Sequence, residues 1–355
     1  MRLLSYFRNY LHSYPYLRHS AVVFLIAVAF LSLLAATHAA ASEAGWRQLR
    51  FAGAAPDDAP TTVALYYPTQ ASAQPVAMGP FTVNAAVQGP PDASFKGLIV
   101  ISHGTGGTEL GHSSLAQALA RNGYLVAALR HSGDNWQDRS LLQTSAANYF
   151  AQRPQQVSRV IDALLREPDW AERIAKDAKG PRIGVLGHSA GGYTALALAG
   201  AQPDPARVTA HCARHRADDP VFCGVGRAAV PAAVSSAIAP LADVRVRAVV
   251  AMAPVGVVFS AESLGNIRVP TALYDAELDR FLVPRFHADW LARNLPAAQR
   301  HKVANAWHFA FMDAPSIPIA SEDGDIGANP PGFDRQAFLQ QLGRELSVFF
   351  DKALR

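Results

Sequence analysis

Ile183-Gly184-Val185-Leu186-Gly187-His188-Ser189-Ala190-Gly191-Gly192-Tyr193-Thr194-Ala195-Leu196-Ala197-Leu198-Ala199-Gly200 is the stretch on which the reading of this chain turns. Residues 183–186 are a short apolar run with β-branched side chains, as a buried strand requires. The Ala-rich stretch 189–199, closed by Gly200, has helical composition and a helix stop. Gly187-His188-Ser189-Ala190-Gly191 between them fits G-x-S-x-G. In that pattern the serine occupies a strained strand-to-helix turn, and the glycines stand where passing backbone leaves no space for a Cβ. Ser189 is thereby expected at a helix N-terminus, where N–H groups and the helix dipole favour developing negative charge.

Outward from this point, continuous apolar runs at 98–101, 125–129, 246–252 and 271–274 alternate with helical stretches at 114–122, 155–166, 284–294 and 334–350. Runs apolar on both faces belong to parallel strands covered by helices. The last helix places Phe338, Leu342, Leu346 and Phe349 on one stripe, fit to cap a sheet. Upstream, 46–51 and 62–67 read as antiparallel strands, whereas 68–96, rich in Pro, Gly, Ala and Gln, reads as a surface connection. The expected fold is α/β, with a mostly parallel central sheet of about eight strands and helices on both faces. Residues 202–243 are far longer than the roughly 2–6 residues that usually join such elements. They read as a cap insertion near the site or as a surface excursion.

Half of the 355 residues are apolar and 17% are charged, a globular composition. Residues 1–41 contain Arg2, Arg8 and Arg18 and no acidic residue, so the remainder is nearly balanced at 29 basic against 28 acidic side chains. No basic run interleaved with aromatics occurs downstream, which argues against a nucleic-acid partner. The first 41 residues run from a basic, aromatic stretch through the apolar segment 21–34 to a small-residue tail, the order of a secretory signal cleaved after Ala39 or Ala41. The expectation is an exported chain, periplasmic or secreted, with 42–355 as its folded domain. If the segment is retained, it is a membrane anchor and the sole route to the membrane. In an oxidising compartment Cys212 and Cys223 would pair. His211 and His215 lie nearby, but without C-x-x-C spacing no metal site is expected.

The segment Ser102-His103-Gly104-Thr105-Gly106-Gly107 follows the most apolar strand. Acyl transfer needs two N–H donors for the oxyanion, and Ala190 and Thr105 are the candidates. The G-x-G-x-x-G and Walker spacings are absent, so a nucleotide cofactor has no support. A serine hydroxyl needs a base, and the base needs an acid to fix its tautomer. Asp279, just past the strand 271–274, is the candidate acid, with Asp275 and Glu277 as competitors. His308, in a loop after the short segment 302–304, is the candidate base; His287 is assigned to a helix and His301 to a strand start. His103, His188, Trp136 and Trp307 are candidates for substrate contact. Asp134 and Arg139, in the loop 131–140, either reach substrate or hold that loop.

With these residues in place the chain resembles the dienelactone hydrolase-like and platelet-activating-factor acetylhydrolase-like branch of the α/β hydrolases. The resemblance rests on residues 101–107, 130–136, 187–192 and 306–311 and runs from about Trp46 to the C-terminus. It implies the α/β-hydrolase fold and hydrolysis of a small-molecule ester through an acyl-enzyme, with neither metal nor organic cofactor. Two departures matter. Dienelactone hydrolases proper use a cysteine where this chain has Ser189. The platelet-activating-factor enzymes take their acid after the preceding strand, where Met252-Ala253-Pro254 offers no carboxylate. A peptidase or thioesterase would use the same three side chains, and a non-catalytic exported binding protein on this fold is the alternative of another class.

Overall fold

The computed structural model describes residues 42–53, 60–224, 237–321 and 324–355; the expected leader, 1–41, lies outside them. Ten strands form one sheet: β1 (Glu43–Phe51), β2 (Thr61–Thr69), β3 (Gln74–Met78), β4 (Phe81–Val87), β5 (Leu98–Ser102), β6 (Leu125–Leu129), β7 (Ile183–His188), β8 (Val246–Met252), β9 (Thr271–Ala276) and β10 (Gln299–Val303). Their spatial order is β10-β9-β8-β7-β5-β6-β2-β1-β4-β3. From β6 to β10 every pairing is parallel, and β2 joins β6 antiparallel.

The parallel half follows from the apolar runs, since β5, β6 and β7 are buried at every position. Ile99 and Ile101 point to one face, against Leu115 and Leu119 of α1 (Ser113–Arg121) and Leu342 and Leu346 of the C-terminal helix. Leu98 and Val100 point to the other, against Val157, Val160 and Ile161 of α2 (Ala146–Arg166). Each such side chain contributes roughly 1.5–3 kcal/mol on burial. The remaining longer helices are α3 (Ala190–Leu198), α4 (Pro205–His215), α5 (Ala288–Asn294) and α6 (Arg335–Ala353). Asp334 caps α6 by accepting the Ala337 N–H at 2.9 Å.

Three sequence expectations are corrected. Residues 68–96 are not merely a connection: β3 and β4 form an antiparallel hairpin within them, and β4 extends the sheet beside β1, giving ten strands in place of about eight. The alternation of Phe81, Val83 and Ala85, buried, with Thr82 and Asn84, exposed, is the signal that the Pro and Gly content masked. α2 begins nine residues before Gln155, capped by Ser145, and runs through Pro154, whose missing N–H ordinarily bars it from a helix interior. α5 begins at Ala288, so His287 is its N-cap and not an interior residue.

The loop after β5 is tied down from α2. Arg153 and Asp134 are both fully buried and pair at 2.5 Å. Arg153 also donates to the His103 carbonyl, while Asp134 accepts the Gly106 N–H at 2.7 Å and the Tyr149 hydroxyl at 2.9 Å. Asp134 therefore holds the loop. Arg153→Met strands a buried carboxylate and is expected to cost about 3–5 kcal/mol, whereas Arg153→Met with Asp134→Asn recovers part of that loss. Urea midpoints of the single and double variants test the pairing, which is refuted if the double variant is no more stable than the single one.

Candidate active site

Ser189 stands between β7 and α3 with φ 58° and ψ −116°, a backbone region that L-residues avoid. Close approach enforces the strain. A Cβ at Gly187 would strike the Gly191 carbonyl, and one at Gly191 would strike the Ser102 carbonyl at the end of β5. The Ser189 N–H is held by the Met252 carbonyl at 2.9 Å, which anchors the turn to β8. The elbow inferred from G-x-S-x-G is present with the geometry the glycines imply.

Asp279 follows β9, and His308 opens a short 3₁₀ turn, His308–Phe311. His308 Nδ1 and Asp279 Oδ2 are 2.8 Å apart, with side chains 1% and 3% exposed. The other oxygen, Oδ1, accepts the N–H groups of Phe281 at 2.9 Å and Leu282 at 2.7 Å. The carboxylate is thus fixed by its own turn and orients the imidazole. Phe281 stacks on that ring at 4.8 Å, and His188 Nε2 donates to the His308 carbonyl at 3.0 Å. The competing acids are engaged elsewhere, Asp275 with Arg300 at 2.9 Å and Glu277 with Lys302 at 3.2 Å. Among the described residues neither Ser189 Oγ nor His308 Nε2 has a hydrogen-bond partner, so both remain uncommitted.

Ser189, Ala190 and Thr105 line one cavity of about 570 Å³. Neither the Ala190 nor the Thr105 N–H has an acceptor among the described residues. The loop passes so close that a Cβ on Gly104 would lie 3.2 Å from that of Ser189. Tyr149, Phe150, Tyr193, Phe222 and Phe281 give the cavity an aromatic wall, and Cys212 and Cys223 line it as well. The two cysteines form a disulfide with Cα atoms 5.4 Å apart, linking α4 to the segment that follows it.

The four candidates for substrate contact do not line this cavity. His103 is buried with both nitrogens engaged, Nδ1 by the Gly104 carbonyl and Nε2 by the His131 N–H. His188 is buried behind the elbow, in contact with His308. Trp136 is 59% exposed, 5.8 Å from the Arg130 guanidinium, and Trp307 lies under Arg280 at 4.4 Å. Arg139 packs against Gly106, on the structural side of the choice left open for its loop. Sequence reasoning missed the aromatic residues of α2 and the contribution of α4, because neither carries a motif. A second serine–histidine pair, Ser102 and His131 at 2.8 Å, is fully buried and does not line the cavity. His211, Asp219 and His287 also converge. His287 Nδ1 accepts the Gly256 N–H at 3.1 Å, so its Nε2 carries the proton and donates to Asp219 at 2.9 Å. The three form a hydrogen-bonded tie.

The chain matches the Hydrolase_4 family (serine aminopeptidase, S33) over residues 93–213, about a third of its length, which includes Ser189 but neither Asp279 nor His308. In structure it is similar to a ferulic acid esterase from Streptomyces cinnamoneus, at 19% identity and a TM-score of 0.58, covering 90% of this chain and 92% of that one. A dienelactone hydrolase from Anabaena variabilis aligns at 14% identity and a TM-score of 0.49, over 88% and 100% of the two chains. No curated protein matches in sequence. The chain has the α/β-hydrolase fold.

Buried histidines around the site give it a pH signature. Burial, reinforced by Arg153, lowers the His103 pKa from 6.5 to about 4, and burial lowers that of His112 to about 3. His131 and His188 are pushed in the same direction, chiefly by burial. The unfolded chain takes up these protons near pH 6.5 while the folded chain does not, so stability is full above that pH and falls toward pH 4. Urea midpoints at pH 7.5, 6 and 5 should decline progressively, and a flat profile would contradict the assignment of these rings as neutral.

Proposed function

We propose that this chain is a serine hydrolase that cleaves carboxylic esters through an acyl-enzyme, with Ser189 as nucleophile, His308 as base and Asp279 as the orienting acid. The observation that carries the reading is the buried His308–Asp279 hydrogen bond at 2.8 Å, on the same sheet edge as a strained serine that opens onto a cavity. Asp279 accepts the hydrogen bond from Nδ1–H and so leaves the Nε2 lone pair for the serine hydroxyl. That contact is one that tightens when substrate is present. Ser189 attacks the acyl carbon, and His308 passes the proton to the leaving alcohol. The Ala190 and Thr105 N–H groups, unclaimed among the described residues, receive the oxyanion. Water, losing a proton to His308, then attacks the acyl carbon; the bond to Ser189 Oγ breaks, the proton returns to Oγ and the carboxylic acid leaves.

Similarity to a family described as serine aminopeptidase makes peptide cleavage the rival reading. An aminopeptidase must hold a substrate ammonium, for which a carboxylate is the natural partner. Among the described residues the cavity wall contains no Asp or Glu, and its one charged side chain is Arg216. The wall thus favours an uncharged or anionic substrate. The aromatic residues supply apolar area for it, and polar anchors are few. The basic, apolar and small-residue order of 1–41 supports export, with cleavage after Ala39 or Ala41.

A fluorophosphonate probe is expected to label the wild-type protein stoichiometrically, to fail with Ser189→Ala and to label His308→Ala at least 100-fold more slowly. Asp279→Asn should lower kcat for aryl esters by a factor on the order of 10³–10⁴. Label retained in Ser189→Ala, or aminoacyl anilides cleaved faster than esters, would overturn the assignment. Export has its own readout. The mature protein from an expressing cell should be about forty residues lighter than the encoded chain, and an intact mass would argue for a retained segment.

A further inference from the structure

The helix that walls the catalytic cavity has a second face. On α4, Val208, Thr209, Cys212 and Ala213 line the cavity, whereas Arg207, His211 and Arg214 line a separate groove of about 410 Å³. Arg285, Trp290 and Arg293 close the groove from the other side. Four guanidinium groups thus surround a space whose lining, among the described residues, contains no acidic side chain. One carboxylate reaches them, Asp218, which pairs with Arg285 at 2.9 Å and is half exposed. Arg207 lies over the Trp290 ring at 5.4 Å and donates to the Val257 carbonyl at 3.1 Å, while the Arg214 side chain has no partner among the described residues. Gathering like charges in one groove is unfavourable unless an anion enters it.

His211 narrows the class of anion. The residue is 7% exposed, and its Nε2 is held 2.8 Å from Asp219 Oδ2. Asp219 already receives the Nε2–H of His287. Burial opposes ionisation of that carboxyl, but hydrogen bonds from His287 and His211 outweigh it and keep its pKa below the ordinary value. Asp219 is therefore an acceptor, and His211 Nε2 is the donor. Burial lowers the His211 pKa, so at neutral pH the ring is neutral and Nδ1, which has no hydrogen-bond partner among the described residues, offers a lone pair. A ligand that satisfies this site must bring several anionic oxygens for the guanidinium forks together with one O–H donor for Nδ1. Sulfate and carboxylates lack the donor near pH 7. Inorganic phosphate retains a proton at pH 7, a monoester supplies the donor in its singly protonated form (second pKa about 6), and the oxygens of both match the Arg fork in paired hydrogen bonds.

We propose that this groove binds a phosphate group, either the free ion or the head of a small phosphate monoester whose organic part rests on Trp290 and Phe286. The proposal is independent of the ester-hydrolase reading, because the groove shares only the body of α4 with the catalytic cavity.

Calorimetric titration of the purified protein at pH 7 and constant ionic strength, in a chloride background, tests it with sodium phosphate, glycerol 3-phosphate and sodium sulfate as probes. Saturable one-to-one binding of phosphate is expected, weakened at least tenfold in Arg214→Gln, a substitution that breaks no hydrogen bond or ion pair among the described residues, and further in Arg214→Gln with Arg293→Gln. Glycerol 3-phosphate binding more tightly than phosphate assigns the source to a monoester, and equal affinities assign it to the free ion. Absence of saturable binding, affinity unchanged in a double variant with wild-type circular dichroism, or sulfate bound as tightly as phosphate would each overturn the proposal.

Discussion

The close approach of three backbone segments at the elbow is the constraint on which the rest depends. Gly191 packs on the Ser102 carbonyl at the end of β5, Gly187 packs on the first turn of α3, and the Ser189 N–H reaches the Met252 carbonyl of β8. No side chain fits at those two glycines, and only under that crowding does a serine persist at positive φ. The cost in backbone strain is of order 1–3 kcal/mol. Fully buried neighbouring strands offset it many times over, which is why the turn sits at the centre of the sheet and not at an edge.

Once the elbow is fixed, the donor loop and the histidine are positioned from opposite sides by different physics. The loop carrying Thr105 is held electrostatically: the buried Arg153–Asp134 pair ties α2 to the loop through the Gly106 N–H and the His103 carbonyl. The histidine is held by packing and short-range hydrogen bonds: Asp279 at Nδ1 on the ring edge, Phe281 across its face and His188 at its carbonyl. His188, the variable residue of the G-x-S-x-G pattern, thus acts on His308 without meeting the cavity.

What could be read from the sequence follows the same division. Runs such as 98–101 and 183–186 declare parallel strands, because burial on both faces leaves no polar alternative, and the glycines at 187 and 191 declare a turn that only one geometry satisfies. Asp279 was legible because its position after β9 leaves room for a turn that its own Oδ1 then caps. Less legible were features whose signal depends on partners distant in sequence. Pro154 reads as a helix boundary until Ser145 is seen to cap a longer helix, and the β3–β4 hairpin reads as connection because Pro75 and Gly79 outweigh its alternation. Nothing local marks Arg153 as a buried cation. Its partner lies 19 residues away and the carbonyl it holds lies 50 away.

The stretch after α3 shows how much a long connection can alter a common scaffold. α4 is anchored by Asp204 at its start, by the disulfide toward its end and by His211, which reaches through Asp219 to His287 on the body of the domain. One side of the helix completes an aromatic cavity, and the other carries cations into a groove with Trp290. Because a helix repeats every 3.6 residues, side chains at 208, 212 and at 207, 211, 214 are committed to different surfaces by the same rigid backbone. Any displacement that improves contacts on one side is felt on the other. A rearrangement of the His211–Asp219–His287 tie would therefore reach the wall of the cavity at Ser189 through Cys212, the residue next in the chain.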